Sequence, residues 1–320
     1  MSQPWERLQD RLPYLRRRAL LAAATRAFFT ARGYLEVETP YAVAAPGEDV
    51  HLPAFSVQPA GLYLNTSPEF AMKKLLAGGA GKIFQMARVW RNAAPSDTHA
   101  PEFTMLEWYR PGATLDDLMD EVEAYLAAVL PPEVSWRGCT TDLTKFERIS
   151  VAEAFARYAG LDVLASADNA EALAAAAGTP LRDAETWEDL FFRLLLERIE
   201  PQIGRAHPTF LTHWPAAQAA LARRDPADPR VAERFELYAA GLELANAFVE
   251  LTDATEQRAR FIADRGRRHA LYGEDWAIDE AFLAAVARMP PCAGIALGFD
   301  RLAMLASGAP RITDVLWLPG

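Results

Sequence analysis

Acidic side chains that interrupt apolar runs are the residues of this sequence most able to do chemistry. Glu107 lies within FTMLEWYR, whose apolar pattern predicts a strand. Period-two geometry puts four residues of this strand on one face, namely Phe103, Met105, Glu107 and Tyr109. A carboxylate among such neighbours is costly to bury unless it meets a cation. Arg91, which ends the preceding predicted strand, and a ligand ammonium both meet that requirement, and the hairpin alone favours an internal pair with Arg91.

The segment RFELYAAGLELANAFVELTD contains a second polar set, formed by Glu236, Glu243, Asn246 and Glu250. Carboxylate oxygens bind Mg²⁺ together with substrate phosphates, and another pair of carboxylates can hold an ammonium group. Glu236 and Glu243 have opposite strand parity, so both face one site only if Gly241 introduces a turn or a bulge. The many apolar neighbours disfavour the alternative, which is a solvent-exposed acidic face.

Two predicted helix starts carry further polar residues. In TSPEFAMKKLL, Ser67 can cap a helix that begins with Pro68 and Glu69. In GIALGFDRLAML, Gly298 ends a strand and Arg301 falls in the first turn of the next helix. A guanidinium in that position can clamp a phosphate with two hydrogen bonds. The glycine pattern alone is weak evidence for such a site.

The elements that must position these residues follow from hydrophobic periodicity and from the places of Gly and Pro. Helices are predicted at 12–32, 68–78, most of 114–200, and 299–307. Strands are predicted at 34–40, 62–64, 82–91, 103–110, 208–215, 234–251 and 292–298, with loops at 41–60 and 92–101. Separate strands with helices outside them indicate an α+β fold, built on a mostly antiparallel sheet flanked by helices.

The composition excludes several classes of protein. The 320 residues are 51% hydrophobic and 24% charged, as expected of a globular chain that can bury a core. Two cysteines and five histidines lack the number or spacing for a disulfide framework or a zinc site. A net charge of −10 makes the chain a poor scaffold for nucleic acid. We find no signal peptide and no apolar run of membrane-spanning length, so we expect a cytoplasmic protein.

Three stretches resemble the signature motifs of class II aminoacyl-tRNA synthetases: GYLEVETP, RVWRN with HAPEFTMLEWY, and GIALGFDRLAML. TSPEFAMKKLL, PEFTMLEWYRP and GLELANAFVELTD are similar to the lysine branch of that class. The chain is more closely similar still to the lysyl-tRNA synthetase paralogues that attach (R)-β-lysine to translation elongation factor P. The resemblance implies a single class II synthetase-like catalytic domain over 1–320, with no N-terminal anticodon-binding domain.

The resemblance also implies a role for individual residues. At the nucleotide, it implies Arg91 and Arg301 on the phosphates of ATP as catalytic residues, Phe103 stacked on adenine with His99 close by, and Glu236 and Glu243 on Mg²⁺. At the amino acid, it implies Ser67 and Glu69 near the amino group beside the reacting carboxylate, Asn246 at the carboxylate, and Glu107, Tyr109 and Glu250 at the distal ammonium. Ala296 replaces a glycine usual in lysyl-tRNA synthetases, and one methyl on a pocket wall is worth ~1–3 kcal/mol of discrimination.

The sequence departs from the family pattern mainly in the hairpin loop. Ala93 and Ala94 stand where acidic residues are usual, Asp97 where a basic residue is usual, and Ala100 where asparagine is usual. Ala247 replaces a glycine in the later strand. A missing carboxylate near adenine affects nucleotide affinity, and the altered loop affects recognition of the acceptor.

The expected activity is an ATP-dependent ligase that forms an acyl-adenylate of (R)-β-lysine or lysine and transfers it to a lysine of elongation factor P. Two alternatives stay open. One is a non-catalytic regulator that binds amino acid or nucleotide, and the other is a truncated lysyl-tRNA synthetase-like enzyme acting on tRNA, which the net charge disfavours. The first motif commonly forms a two-fold interface in this class, so we expect a homodimer without membrane association.

Overall fold

The computed structural model of the protein describes residues 5–47, 49–219 and 221–319. Its helices are α1 Leu8–Ala31, α2 Glu69–Ala77, α3 Leu115–Val129, α4 Val151–Ala159, α5 Ala170–Ala177, α6 Trp187–Leu194, α7 Ala254–Tyr272, α8 Glu280–Val286, α9 Phe299–Ser307 and α10 Ile312–Val315. Its strands are β1 Leu35–Glu36, β2 Ala42–Val43, β3 Ser56–Val57, β4 Leu62–Leu64, β5 Ile83–Trp90, β6 Glu102–Pro111, β7 Glu133–Trp136, β8 Cys139–Asp142, β9 Glu147–Ser150, β10 Thr209–Pro215, β11 Val231–Ala239, β12 Leu242–Val249 and β13 Cys292–Gly298.

The chain divides into two compact units, one within 1–130 and 250–320 and the other within 131–249. The first has the strand order β1-β5-β6-β13, in which β1 is parallel to β5 and the other pairs are antiparallel. The second has the order β12-β11-β10-β9, in which only the β10–β9 pair of this series is parallel. The predicted α+β fold with mostly antiparallel strands and flanking helices is confirmed, and the single domain over 1–320 stays a prediction.

Alternation along β6 separates a core face from a polar face. Trp108 packs against Phe29 of α1, with ring centroids 4.9 Å apart, and Phe29 stacks on Phe84 of β5. The neighbouring residues Glu107 and Tyr109 point the other way, as period-two geometry requires. The aromatic core therefore fixes β6 and turns its polar residues toward the opposite side of the sheet.

The prediction that 114–200 is mostly helical is wrong for residues 133–150, which form β7, β8 and β9. β7 and β8 are joined by Arg137 and Gly138, both with positive φ, 46° and 78°. A two-residue turn of this kind matches the twist of the strands that it joins. The predicted strand at 34–40 is also shorter, since only Leu35–Glu36 pairs with β5.

A buried ion pair attaches α1 to α9 and β6 in the first unit. Arg18 of α1 contacts Asp300 of α9 through Nη2 at 2.7 Å, and the same nitrogen donates to Thr104 Oγ1 at 2.9 Å. Asp300 also accepts the backbone N–H of Thr104 at 2.8 Å. Asp300 and Thr104 directly neighbour Arg301 and Phe103 in the sequence, so this network fixes the backbone that carries both.

We expect Arg18→Met to lower the free energy of unfolding by about 3–5 kcal/mol, because it leaves the Asp300 carboxylate buried without its cation. Arg26→Met on the same helix is the matched control, since Arg26 pairs with Glu36 at an exposed site and such pairs contribute about 0–1 kcal/mol. Urea unfolding of both variants measures the difference. Equal losses in the two variants would contradict the account of the network.

Candidate active site

Glu107 is the centre of a polar pocket on β6. Only 1% of its surface is exposed, and its strand partners are Gln85 on β5 and Ala296 on β13. Ser67 Oγ donates to Glu107 Oε1 at 2.5 Å, and Tyr109 OH donates to Oε2 at 3.1 Å. Burial raises the pKa of Glu107 to about 8, nearby Glu69 adds to the shift, and the two hydrogen bonds oppose it. A buried carboxyl group with so high a pKa is stabilised in its charged form by a bound cation.

The start of α2 adds two more charged groups to the same pocket. Ser67 lies just before the helix and accepts the N–H of Glu69 at 3.0 Å, so it caps this end from outside the helix. Lys73, one turn further, contacts Glu69 Oε1 at 2.6 Å and Glu250 Oε2 at 2.5 Å. Burial opposes the charge on Lys73, but Glu250 and Glu69 raise its pKa above the ordinary value.

Glu250, the residue that directly follows β12, forms another side of the pocket. Its backbone N–H donates to Cys292 O at 2.9 Å, and 1% of the residue is exposed. Burial raises the pKa of Glu250 to about 8, Lys73 lowers it and Glu69 adds to the increase. Glu250 therefore joins Glu107 as a buried carboxyl group whose ionisation a second cation would favour.

The wall of the pocket on β13 consists of small residues at alternate positions. Gly294 lies opposite Tyr109 and Ala296 lies opposite Glu107. A Cβ atom added at Gly294 would overlap the Tyr109 ring and Glu250 Oε1, so only glycine allows these two side chains to approach. The methyl of Ala296 lies on the same face of the strand, as expected for a residue that shapes the space next to Glu107.

The internal pair between Arg91 and Glu107 that the hairpin favoured is wrong. Register places Glu107 opposite Gln85, whereas the backbone of Arg91 bonds to Pro101. Positions 85 and 91 are six residues apart along an extended segment, a span of roughly 20 Å. Glu107 and Arg91 therefore belong to different parts of the first unit.

Arg91 instead belongs to a cationic group beside the hairpin loop. Its guanidinium lies 5.2 Å from the centroid of the Phe103 ring. Arg301, in the first turn of α9, contacts His99 Nε2 at 2.7 Å and donates from Nε to Thr98 O at 3.3 Å. An arginine over an aromatic ring and a second arginine at the start of a helix have the chemistry to bind a phosphorylated aromatic base. The structure thus pairs Arg91 with Phe103 and Arg301 with His99.

The second unit contains the remaining predicted residues on the β11–β12 hairpin. Ala240 and Gly241 form its turn with positive φ, 53° and 77°, and the register shifts between Leu237 and Tyr238. Glu236 consequently lies opposite Asn246, while Glu243 lies opposite Tyr238. The predicted break at Gly241 is confirmed.

Glu236 is held by two side chains of its own strand. Arg234 Nη2 contacts Glu236 Oε1 at 2.6 Å, and Tyr238 OH donates to Oε2 at 2.7 Å. Arg234 Nε also donates to Asn246 Oδ1 at 3.1 Å. Burial raises the pKa of Glu236 to about 7, Arg234 opposes the shift and Glu243 adds to it.

The carboxylates of this hairpin fit a divalent cation. Glu243 lies near enough to Glu236 to raise its pKa by repulsion, and a cation bound by both would relieve that repulsion. Each Glu236 oxygen accepts one hydrogen bond and keeps a lone pair for a metal. Across 5–47, 49–219 and 221–319, no group of three or more His, Cys, Asp or Glu is suited to a metal, so phosphates and water would supply the other ligands.

Sequence reasoning missed Lys73 and Arg234, which hold the acidic residues in place. Lys73 follows Glu69 by one helical turn, a spacing that predicts contact between the two side chains. Arg234 precedes Glu236 by two residues on one strand face, which was an available signal of the same kind. In the sequence both residues have the pattern of solvent-exposed charges, whereas the structure buries them.

Comparison with known proteins gives a consistent result. The family model described as tRNA synthetases class II (D, K and N) matches residues 7–320. A protein from Proteus mirabilis named elongation factor P--(R)-beta-lysine ligase is 46% identical over 318 residues, which cover 95% of this chain and 94% of that protein. Proteins of the same name from Sodalis glossinidius and Klebsiella pneumoniae are each 45% identical, covering 94% and 95% of this chain and 93% and 94% of their own.

Among the helices of the described residues, none combines the length and the apolar character that a membrane-spanning helix needs.

We expect the ligand-free protein to lose stability as the pH rises from 6 to 9. Glu107 and Glu250 have pKa values raised to about 8, so the stability from their protonated forms is complete below pH ~4.5 and is lost through pH 8, by about 1–3 kcal/mol per group. Glu107→Gln should remove its share of this slope. Glu102→Gln, at an exposed position of the same strand, is the control. Urea unfolding at four pH values tests this, and a full slope in Glu107→Gln would contradict it.

Proposed function

Because the chain belongs to the class II tRNA synthetase family (D, K and N), we propose that it is an ATP-dependent ligase for translation elongation factor P. It would activate (R)-β-lysine, or lysine, as an acyl-adenylate and transfer it to a lysine side chain of that factor. The observation that carries the proposal is the pocket around Glu107 and Glu250, whose buried carboxyl groups suit ligand ammonium. The relatives named above support the substrate and the acceptor.

The proposed reaction has two steps. In the first, the substrate carboxylate oxygen attacks the α-phosphorus of ATP, the bond to the bridging oxygen breaks, and pyrophosphate leaves. In the second, the ε-amine of the acceptor lysine attacks the acyl carbon, loses a proton, and AMP leaves. Arg91 and Arg301 would stabilise the charge on the phosphates, so that positioning and electrostatics supply most of the catalysis.

The nucleotide and the amino acid would contact separate sets of residues. Phe103 offers a ring for adenine, with His99 beside Arg301. Ser67 and Glu69 would bind the amino group nearer the carboxylate, and Glu107, Tyr109 and Glu250 would bind the distal one. Asn246 would bind the carboxylate. Glu236 and Glu243 would hold Mg²⁺, which supplies charge neutralisation on the phosphates.

A second candidate is a regulator that binds amino acid or nucleotide without turnover. It is favoured by the exposed residues Ala93 and Ala94, which stand where the family has acidic residues. The amino-acid pocket retains its acidic residues, which favours the ligase. A tRNA-charging enzyme ranks third, because the net charge of −10 disfavours binding to a polyanion.

The proposal includes a cytoplasmic homodimer. Leu20 of α1 and Leu35 of β1 are 63% and 58% exposed. Exposed apolar side chains on the first helix and strand are suited to an isologous interface between two copies. Sedimentation of the purified chain measures this state directly.

ATP–pyrophosphate exchange tests the proposed activity. We expect Mg²⁺-dependent exchange with (R)-β-lysine, weaker exchange with lysine and none without an amino acid. Arg301→Ala should abolish exchange and leave amino-acid binding intact, because the proposal assigns Arg301 to the phosphates of ATP and not to the amino acid. Intact binding of both ligands without exchange in the wild-type protein would favour the regulator instead.

Substitution of Gly294 tests the wall of the pocket. Gly294→Ala should raise the KM for the amino acid by roughly 10- to 100-fold, the effect of 1–3 kcal/mol of overpacking against Tyr109 and Glu250, with the KM for ATP unchanged. Gly298→Ala is the matched control on the same strand face. A Cβ there meets Arg301 Cδ at 3.6 Å, which is ordinary contact. Equal KM changes in the two variants would contradict the assigned wall.

A further inference from the structure

Lys73 is an ammonium group built into the amino-acid pocket. Only 2% of the residue is exposed, and its Nζ lies 2.6 Å from Glu69 and 2.5 Å from Glu250. Oε1 of Glu250 accepts no hydrogen bond within the described ranges. Lys73 therefore contacts two carboxylates assigned to substrate and leaves one oxygen of Glu250 for another donor.

The groups around Lys73 come from four parts of the first unit. Glu69 lies on α2, Glu107 and Tyr109 lie on β6, and Glu250 directly follows β12. Cys292 of β13 also interacts electrostatically with Lys73. Tyrosine and thiol groups are neutral at pH 7 when buried. Among the groups named here, those that can carry charge near neutral pH are therefore three carboxyl groups and one ammonium.

The charge of this set matches a ligand with two ammonium groups. When all groups ionise, three carboxylates and Lys73 leave two negative charges. A diamino acid brings two positive charges on its amine-bearing part, whereas a monoamino acid would leave one buried carboxyl group without a cation, so that this group would stay protonated. A pocket without Lys73 would carry three negative charges and would suit a different ligand.

We propose that Lys73 is a specificity-determining positioning residue, which fixes Glu69 and Glu250 and sets the pocket charge to that of a diamino acid. The inference rests on the proposed function, since it assumes that this pocket holds the amino acid. Lys73 is not a catalytic residue here, because it acts on the substrate through the two carboxylates.

The test compares Lys73→Met with Lys74→Met and Lys73→Arg in the full chain. Methionine matches the length of lysine without its charge. Lys74 is the adjacent residue and pairs with Asp279 at a half-exposed site. Calorimetry at pH 6 to 9 gives the affinity of each variant for (R)-β-lysine, lysine and ATP, and thermal unfolding gives its stability.

We expect Lys73→Met to weaken (R)-β-lysine binding at pH 7 by at least 10-fold and to change ATP binding by less than 3-fold. The pH at which binding is strongest should rise, because loss of the ammonium makes the remaining carboxyl groups harder to ionise. Lys73→Arg should keep the wild-type pH dependence, and Lys74→Met should resemble wild type. A merely structural lysine would lower stability without moving the pH profile.

Three results would overturn the inference: unchanged (R)-β-lysine affinity in Lys73→Met, an unshifted pH profile in that variant, or equal losses for ATP and amino acid. If Lys73→Met does not fold, Lys73→Arg decides, because retention of the charge must preserve the wild-type pH profile. Failure of the proposed function is distinguishable, since the wild-type protein would then show no ATP–pyrophosphate exchange with (R)-β-lysine or lysine, whatever its affinity for them.

Discussion

The burial of carboxyl groups on one face of the sheet is the constraint on which the rest of this structure depends. Glu107 and Glu250 are each 1% exposed, and burial raises the pKa of both to about 8. Such groups are costly to ionise in the free protein and become favourable when a cation binds. A positively charged ligand would therefore bind favourably in the pocket, because it would stabilise the ionised form of these carboxyl groups.

The surrounding core holds these buried carboxyl groups in position. The aromatic core around Phe29 and Trp108 fixes β6 from behind, while the small residues Gly294 and Ala296 leave room on the other side. The buried pair of Arg18 with Asp300 fixes the backbone beside Arg301 and Phe103 by the same logic of compensated charge. Packing on one face of the sheet thus offsets the cost of burying carboxyl groups on the other face.

Local patterns in the sequence were sufficient for the main elements. Strong alternation and glycine positions predicted β5, β6 and β13, and the helix at Phe299–Ser307 has the predicted bounds. The resemblance to class II synthetases led to the acidic residues, because its motifs lie on those elements. The turn at Arg137–Gly138 was missed, because strands of only four residues are too short to show a clear period-two pattern between the flanking helices.

Long-range register and burial could not be predicted from these patterns. The position of Arg91 relative to Glu107 depends on how the hairpin pairs, which ten loop residues leave undetermined in the sequence. Lys73 has the spacing of a solvated helix residue, and only the tertiary fold places it between Glu69 and Glu250. The sequence therefore indicated which carboxylates matter but not which cation accompanies them.

Proton release on ligand binding tests the central claim most directly. Calorimetric titration of the protein with (R)-β-lysine at pH 7, in two buffers of different ionisation enthalpy, counts the protons exchanged. Glu107, with a pKa raised to about 8 by burial, is mostly protonated at that pH, so we predict release of about one proton per site from this group. Tight binding with no exchange of protons would contradict the account.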